Sequence, residues 1–193
     1  MYMILPAFRR TVHGNKIPAL YGMIVAQARL GAFYTDYGIP DTVQGRFELL
    51  VLHLILVLRR LGRDPQTAKI SRWGRRESPS QLLFDAFCRD LDANLREMGV
   101  GDMGVPRRMR RFGEEFYGRQ AAYQAALEGT DPPALENALA RNIFEVENVD
   151  ARVSRLADYM RAAAARLEDA GIETLVSGAT VFPDPALCAP AGK

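Results

Sequence analysis

Apolar residues recur along this chain with the helical period almost throughout. Tyr21, Ile24, Val25, Ala28 and Ala32 form a stripe along one face of a helix, and Gly38 and Pro40 end it. A second helix is predicted over about 42–61. Asp41 followed by Gln44 resembles a capping box, in which a side-chain acceptor satisfies the open N–H groups of a first turn. The run Leu49–Leu58 is apolar except for His53, so this helix should be buried on most sides and central to the fold. Gly62 is its expected C-cap.

Residues 63–80 are polar, with Pro65, Gly74 and Pro79, and read as a long connection. Phe84, Phe87, Cys88, Leu91, Leu95 and Met98 then form another stripe. Its polar side carries Asp85/Arg89 and Asp92/Arg96 as i,i+4 pairs, each worth a few tenths of a kcal/mol. A turn spans 99–106. Pro106 suits the first turn of a helix pointing Met109, Phe112, Phe116, Tyr123 and Leu127 inward. Asp131-Pro132 supplies an N-cap and an N1 proline for a helix with Leu135, Ala138, Leu139, Ile143 and Val146. The last helix carries Val153, Leu156, Ala157, Met160, Ala164 and Leu167, ending at Gly171. No stretch alternates with the period of a strand. The expected fold is all-α: a single helical domain of about six main helices over 16–171, an N-terminal segment 1–15, and an extended Gly/Pro-rich tail 172–193.

Composition changes this picture little. With 193 residues, 48% hydrophobic and 25% charged, the chain can bury one sizeable core. A net charge of +2 implies no broad affinity for nucleic acid, and DNA is not an expected partner. Cys88 and Cys188 are neither paired in a CxxC nor clustered with histidines, which argues against zinc and fits a reducing compartment. The ten residues Leu49–Leu58 are too few to cross a bilayer, which takes about 20. The first residues make a poor signal peptide, so a cytoplasmic or membrane-peripheral protein is expected.

Candidate chemistry is sparse. Gly99, Gly101 and Gly104 match the dinucleotide-binding spacing, but that mechanism needs a preceding strand, and an amphipathic helix precedes them here. His53 reads as a buried, hydrogen-bonded histidine rather than a ligand; no cofactor and no metal are expected. Arg107, Arg108, Arg110 and Arg111 crowd a helix start, where positive charge opposes the helix dipole. Either nearby acids such as Asp102 offset them on a solvated face, or they meet an anionic partner, with Arg72, Arg75 and Arg76 as candidates to extend the patch. Phe33, Tyr34, Tyr37, Phe116, Tyr117, Arg119 and Tyr123 suit either core packing or an apolar surface that holds a client segment. A small helical enzyme using the Asp/Arg-rich region around 90–111, or a ribosome- or RNA-associated module, are the alternatives these residues leave open.

Several stretches together resemble one family. They are Tyr34-Thr-Asp-Tyr-Gly-Ile-Pro-Asp41 with Gly45-Arg-Phe-Glu48 and its apolar continuation, Leu82-Leu-Phe-Asp-Ala-Phe87, and the block from Asp90 to Asp102. Phe116-Tyr-Gly-Arg119, Tyr123 and Arg141-Asn-Ile143 complete the set. These are similar to the ubiquinol–cytochrome c chaperone family in its bacterial branch, over about 17–147. The resemblance implies an all-α fold and no catalysis. It implies a protein, peripheral to the inner membrane, that binds newly made cytochrome b and assists assembly of the cytochrome bc complex. A small assembly partner protein, the ribosome and the anionic membrane surface are the further partners it suggests. On this reading the aromatic set holds the client and the four arginines face the membrane or ribosome.

Overall fold

The computed structural model describes residues 16–63, 78–129, 131 and 133–188. The N-terminal segment 1–15, the stretch 64–77 with Arg72, Arg75 and Arg76, and Pro132 lie outside the described residues.

All regular structure among the described residues is helical. The elements are α1 (Ile17–Ala28), α2 (Ala32–Thr35), α3 (Val43–Arg63), α4 (Pro79–Glu97), α5 (Gly104–Glu128), α6 (Pro133–Leu139), α7 (Ala151–Asp169), α8 (Ile172–Val176) and α9 (Pro185–Cys188). One wider π turn, Ala140–Phe144, continues α6. As expected, α3 is the centre: Val51 to Leu58 and Leu61 are all buried, against α1, α4, α5, the π turn and α7. Each aliphatic side chain so buried contributes roughly 1.5–3 kcal/mol, which makes α3 the organising element.

The helix ends differ from expectation in instructive ways. The first stripe is interrupted at Arg29, and a separate short helix starts at Ala32, which turns Phe33 into the core. Thr42, not Asp41, caps α3: its Oγ1 accepts from the Gly45 N–H at 3.1 Å. A cap must directly precede the first helical residue, here Val43. Asp41 instead pairs with Arg46 at 2.6 Å, and Gln44 donates to Glu48 at 2.8 Å. Gly62 lies inside α3, which runs on to Arg63. Gly45 has a tighter role, since a Cβ there would sit 2.1 Å from the Pro40 carbonyl oxygen. The helix α3 can approach the incoming chain only because that position carries no side chain.

Other ends follow their sequence signals. Ser78 caps α4, accepting from the Gln81 N–H, with Pro79 opening the helix. Asp150 caps α7 through the N–H groups of Arg152 and Val153. From α3, Arg60 donates to the carbonyls of Leu167 and Ala170 and so closes the C-terminal end of α7. Residues 172–188 are not simply extended. They include α8 and α9, and Leu175, Val176, Val181, Phe182 and Pro185 are buried in the same core as the main helices.

Candidate functional site

A groove opens between α1, α3, α4 and α5. One half encloses about 400 Å³ and is lined chiefly by Val25 and Ala28 of α1, Phe47 and Leu50 of α3, and Phe87 and Leu91 of α4. The other half, also about 400 Å³, shares Gln44, Phe47, Leu91 and Leu95 with it and reaches Phe112 of α5. The groove exists because cover runs out along the apolar face of α4. Leu83 and Phe87 are buried, Leu91 and Leu95 are half-buried, and Met98 is 67% exposed. Val43, on the opposite lip, is 76% exposed. The floor is held by aromatic contacts, Phe47 edge-on to Phe112 with ring centroids 5.6 Å apart and Phe87 tilted against Phe112 at 5.3 Å.

The rim is charged. Arg29 and Arg46 flank one half, Arg108 and Arg111 the other, with Asp90 and Glu115 as the acids. Both acids are already engaged. Asp90 accepts from the Tyr21 hydroxyl at 2.8 Å, and burial together with that carboxylate pushes the Tyr21 phenol well above its usual range. Glu115 pairs with Arg111 at 2.8 Å. Arg29 and Arg108 are exposed and make no ion pair among the described residues. Arg107, Arg110 and Arg111 are exposed beside Arg108 on α5, so the four arginines read as a cluster from the sequence share one exposed helix start.

The aromatic set does not form one surface. Phe33, Tyr37, Phe116 and Tyr123 are 0–1% exposed and belong to the core. Phe33 packs edge-on to Tyr159 at 4.9 Å and His53 at 5.3 Å, and the Tyr37 hydroxyl donates to the Pro185 carbonyl at 2.9 Å. Tyr34 is half-buried, and Tyr117, at 60%, is the exposed member. Arg119 is not a surface contact either. It donates to Glu48 at 2.8 Å, with side-chain exposures of 16% and 2%. Burial raises the Glu48 carboxyl, partly offset by that guanidinium. Tyr123 lies in the same cluster, its hydroxyl pushed up to about 12 by burial while Asn142 of the π turn approaches it at 3.5 Å. Thus Glu48, Arg119, Tyr123 and Asn142, drawn from separate sequence blocks, converge in one buried polar junction. Of the groove residues, Leu91 and Leu95 were legible only as a core stripe, and Phe47 only within the Gly45–Glu48 stretch of the family resemblance. Their available signal was Met98 continuing the stripe of α4 past the point where α4 ends.

His53 is fully buried and doubly bonded. Its Nδ1 lies 2.7 Å from the Leu49 carbonyl, which can only accept, so Nδ1 carries the hydrogen and Nε2 accepts from the Tyr159 hydroxyl at 2.8 Å. Burial depresses its pKa to about 4, which keeps the ring neutral. The glycines at 99, 101 and 104 form the turn from α4 to α5, with Gly99 at φ +81°; a helix precedes them, as the dinucleotide mechanism does not allow. Asp92 pairs with Arg96 at 2.7 Å as expected, whereas Asp85 accepts from Gln81 rather than Arg89. Among the described residues no cluster of His, Cys, Asp and Glu is placed to hold a metal ion, and no helix is long and apolar enough to cross a membrane.

These features define an all-helical protein organised around one buried helix, with an open apolar groove edged by arginines. The ubiquinol–cytochrome c chaperone model matches residues 35–182, and the chain belongs to that family. The match takes in α7 and the segment up to Phe182, beyond the blocks that carry the resemblance in sequence. A curated relative, ubiquinol–cytochrome c reductase complex assembly factor 1 of Drosophila melanogaster, is 24% identical over 152 residues, covering 77% of this chain. The aligned region spans 56% of that relative, so the chain accounts for little more than half of its length. The crystal structure of the Cbp3 homolog from Brucella abortus superposes with a TM-score of 0.77 at 36% identity, covering 95% of this chain and 98% of that one. Family and relative are chaperones and assembly factors, and the protein is of that non-enzymatic class.

Proposed function

We propose that this chain holds newly made cytochrome b while ubiquinol–cytochrome c reductase is assembled. The observation that carries the reading is the groove between α1, α3, α4 and α5, with an aromatic floor and exposed apolar lips at Val43 and Met98. An apolar client segment needs such a surface until its own partners or the bilayer cover it, and helix-in-groove docking uses apolar area with a polar rim. The family and the named relative supply the complex being assembled.

The reading places the protein at the inner membrane surface. Arg107, Arg108, Arg110 and Arg111 on the start of α5 are all exposed, and two of them edge the groove. Anionic headgroups attract such clusters, each arginine near the surface adding about 1 kcal/mol. A small partner protein and the ribosome remain further partners on this proposal.

The test is an affinity pull-down from membranes of the native organism, with mass spectrometry of what co-purifies. Cytochrome b enriched ahead of the other subunits of the complex supports the reading. Its repeated absence, with normal cytochrome bc levels in a deletion strain, overturns it.

A further inference from the structure

The rim of the groove carries a charge imbalance that bears on what the groove can hold. Four arginines line it against two acids, an excess of positive charge; Glu115 is paired with Arg111, while Asp90 accepts from the Tyr21 hydroxyl and keeps its charge. Arg46 is likewise tied to Asp41. That leaves Arg29 in one half of the groove and Arg108 in the other without an ion-pair partner among the described residues. Between them lie Phe47, Leu91 and Leu95, which contribute apolar wall.

We infer that the groove selects its occupant by charge: it takes an apolar helical segment of a client protein that carries carboxylates at both ends of its apolar face. This rests on the reading that the groove is where the client is held. The walls are helices whose side chains project as ridges, with no strand edge among the described residues to extend, so a helix is the shape that packs there. An apolar helix with basic ends would bring like charges against Arg29 and Arg108 and would be disfavoured. One with acidic ends gains two charge pairs at the exposed rim. Selection therefore works by repulsion of the wrong flanks as much as by attraction of the right ones. It separates hydrophobic segments that apolar area alone would bind alike.

The experiment uses the full chain and two stapled helical peptides with the same Leu/Ala face, one with Glu at both ends and one with Lys. Stapling equalises their helicity. In fluorescence anisotropy at low salt the Glu peptide is expected to bind about ten-fold more tightly, the difference that two partly exposed ion pairs supply. At about 1 M salt, where the screening length falls to roughly 3 Å, the preference should collapse. R29E/R108E changes two exposed side chains and is expected to keep its fold by circular dichroism while reversing the preference toward the Lys peptide. Leu91→Glu, in the apolar wall, should weaken both peptides. Equal binding of the two peptides, or a preference unmoved in R29E/R108E, overturns the inference. If that occurs while the protein still captures cytochrome b from membranes, charge selection fails and the chaperone reading stands. If the Glu preference holds while no cytochrome b is captured, charge selection stands and the identity of the client falls.

Discussion

Arg119 donates to Oε1 of Glu48 at 2.8 Å, joining α5 to α3 beneath the protein surface. Glu48 is only 2% exposed, and its second carboxylate oxygen has no hydrogen-bond partner among the described residues. The pair is therefore a structural junction. Removing Arg119 leaves the buried Glu48 with the neutral Gln44 amide as its donor and no cation.

Truncating Arg119 to Met leaves Glu48 buried without its cation and is expected to destabilise the fold by about 3–5 kcal/mol. Replacing both residues, Glu48→Met with Arg119→Met, removes the stranded charge and should recover most of that loss. Urea denaturation of the two single variants and the double variant measures the coupling. Additive losses would show that the pair contributes nothing beyond its separate contacts.

The His53–Tyr159 bond makes stability depend on pH in a definite direction. Burial holds the folded pKa at about 4 against an ordinary 6.5, so below 6.5 the unfolded chain takes up a proton that the folded one refuses. Stability then falls as pH drops from about 6.5 to about 4, by up to roughly 3 kcal/mol. Glu48, whose folded pKa is raised, acts in the opposite sense, its contribution being lost as pH rises. Comparison with His53→Gln isolates the histidine: urea midpoints measured at pH 7 and pH 5 should diverge less for the variant than for the wild type.

Residues 181–188 are held to the body by few but specific bonds. Gln27 donates to the Tyr159 hydroxyl and the Pro183 carbonyl, both at 3.0 Å, and Phe182 packs edge-on against His53 at 5.0 Å. Phe182→Ala is expected to cost about 3–5 kcal/mol, as for other buried aromatics. In hydrogen exchange, amides around Leu187 and Cys188 should lose protection before those of α3. Loss of protection across the whole chain at once would show that the segment is not a separable unit.

Charge reversal of Arg107, Arg108, Arg110 and Arg111 should reduce binding to anionic liposomes, with the wild-type affinity falling steeply as salt rises. Co-sedimentation with vesicles of anionic and of neutral lipid reads this directly. Unchanged binding would remove the membrane contact from the proposed function while leaving the groove untouched.

The sequence by itself determined the helical period, the central place of α3, the burial of His53 and the α4–α5 turn. Each of these depends on residues close together in the chain: an apolar run, a histidine within it, a glycine at positive φ. The blocks that carry the family resemblance were legible for the same reason. Only the tertiary structure decided which apolar stripes are covered. The face of α4 has one continuous period from Leu83 to Met98, yet its start is buried and its end is exposed, because neighbouring helices run out. Phe33 and Tyr37 suit either core or surface in the sequence, but the distant helix Pro185–Cys188 packs on α2 and the Pro185 carbonyl takes the Tyr37 hydroxyl, so both are core. Arg119 looks like a solvent-facing cation until Glu48, 71 residues away, meets it. Periodicity is a property of one helix. Burial and charge neutralisation are properties of several helices packed together, and the groove is where that packing stops.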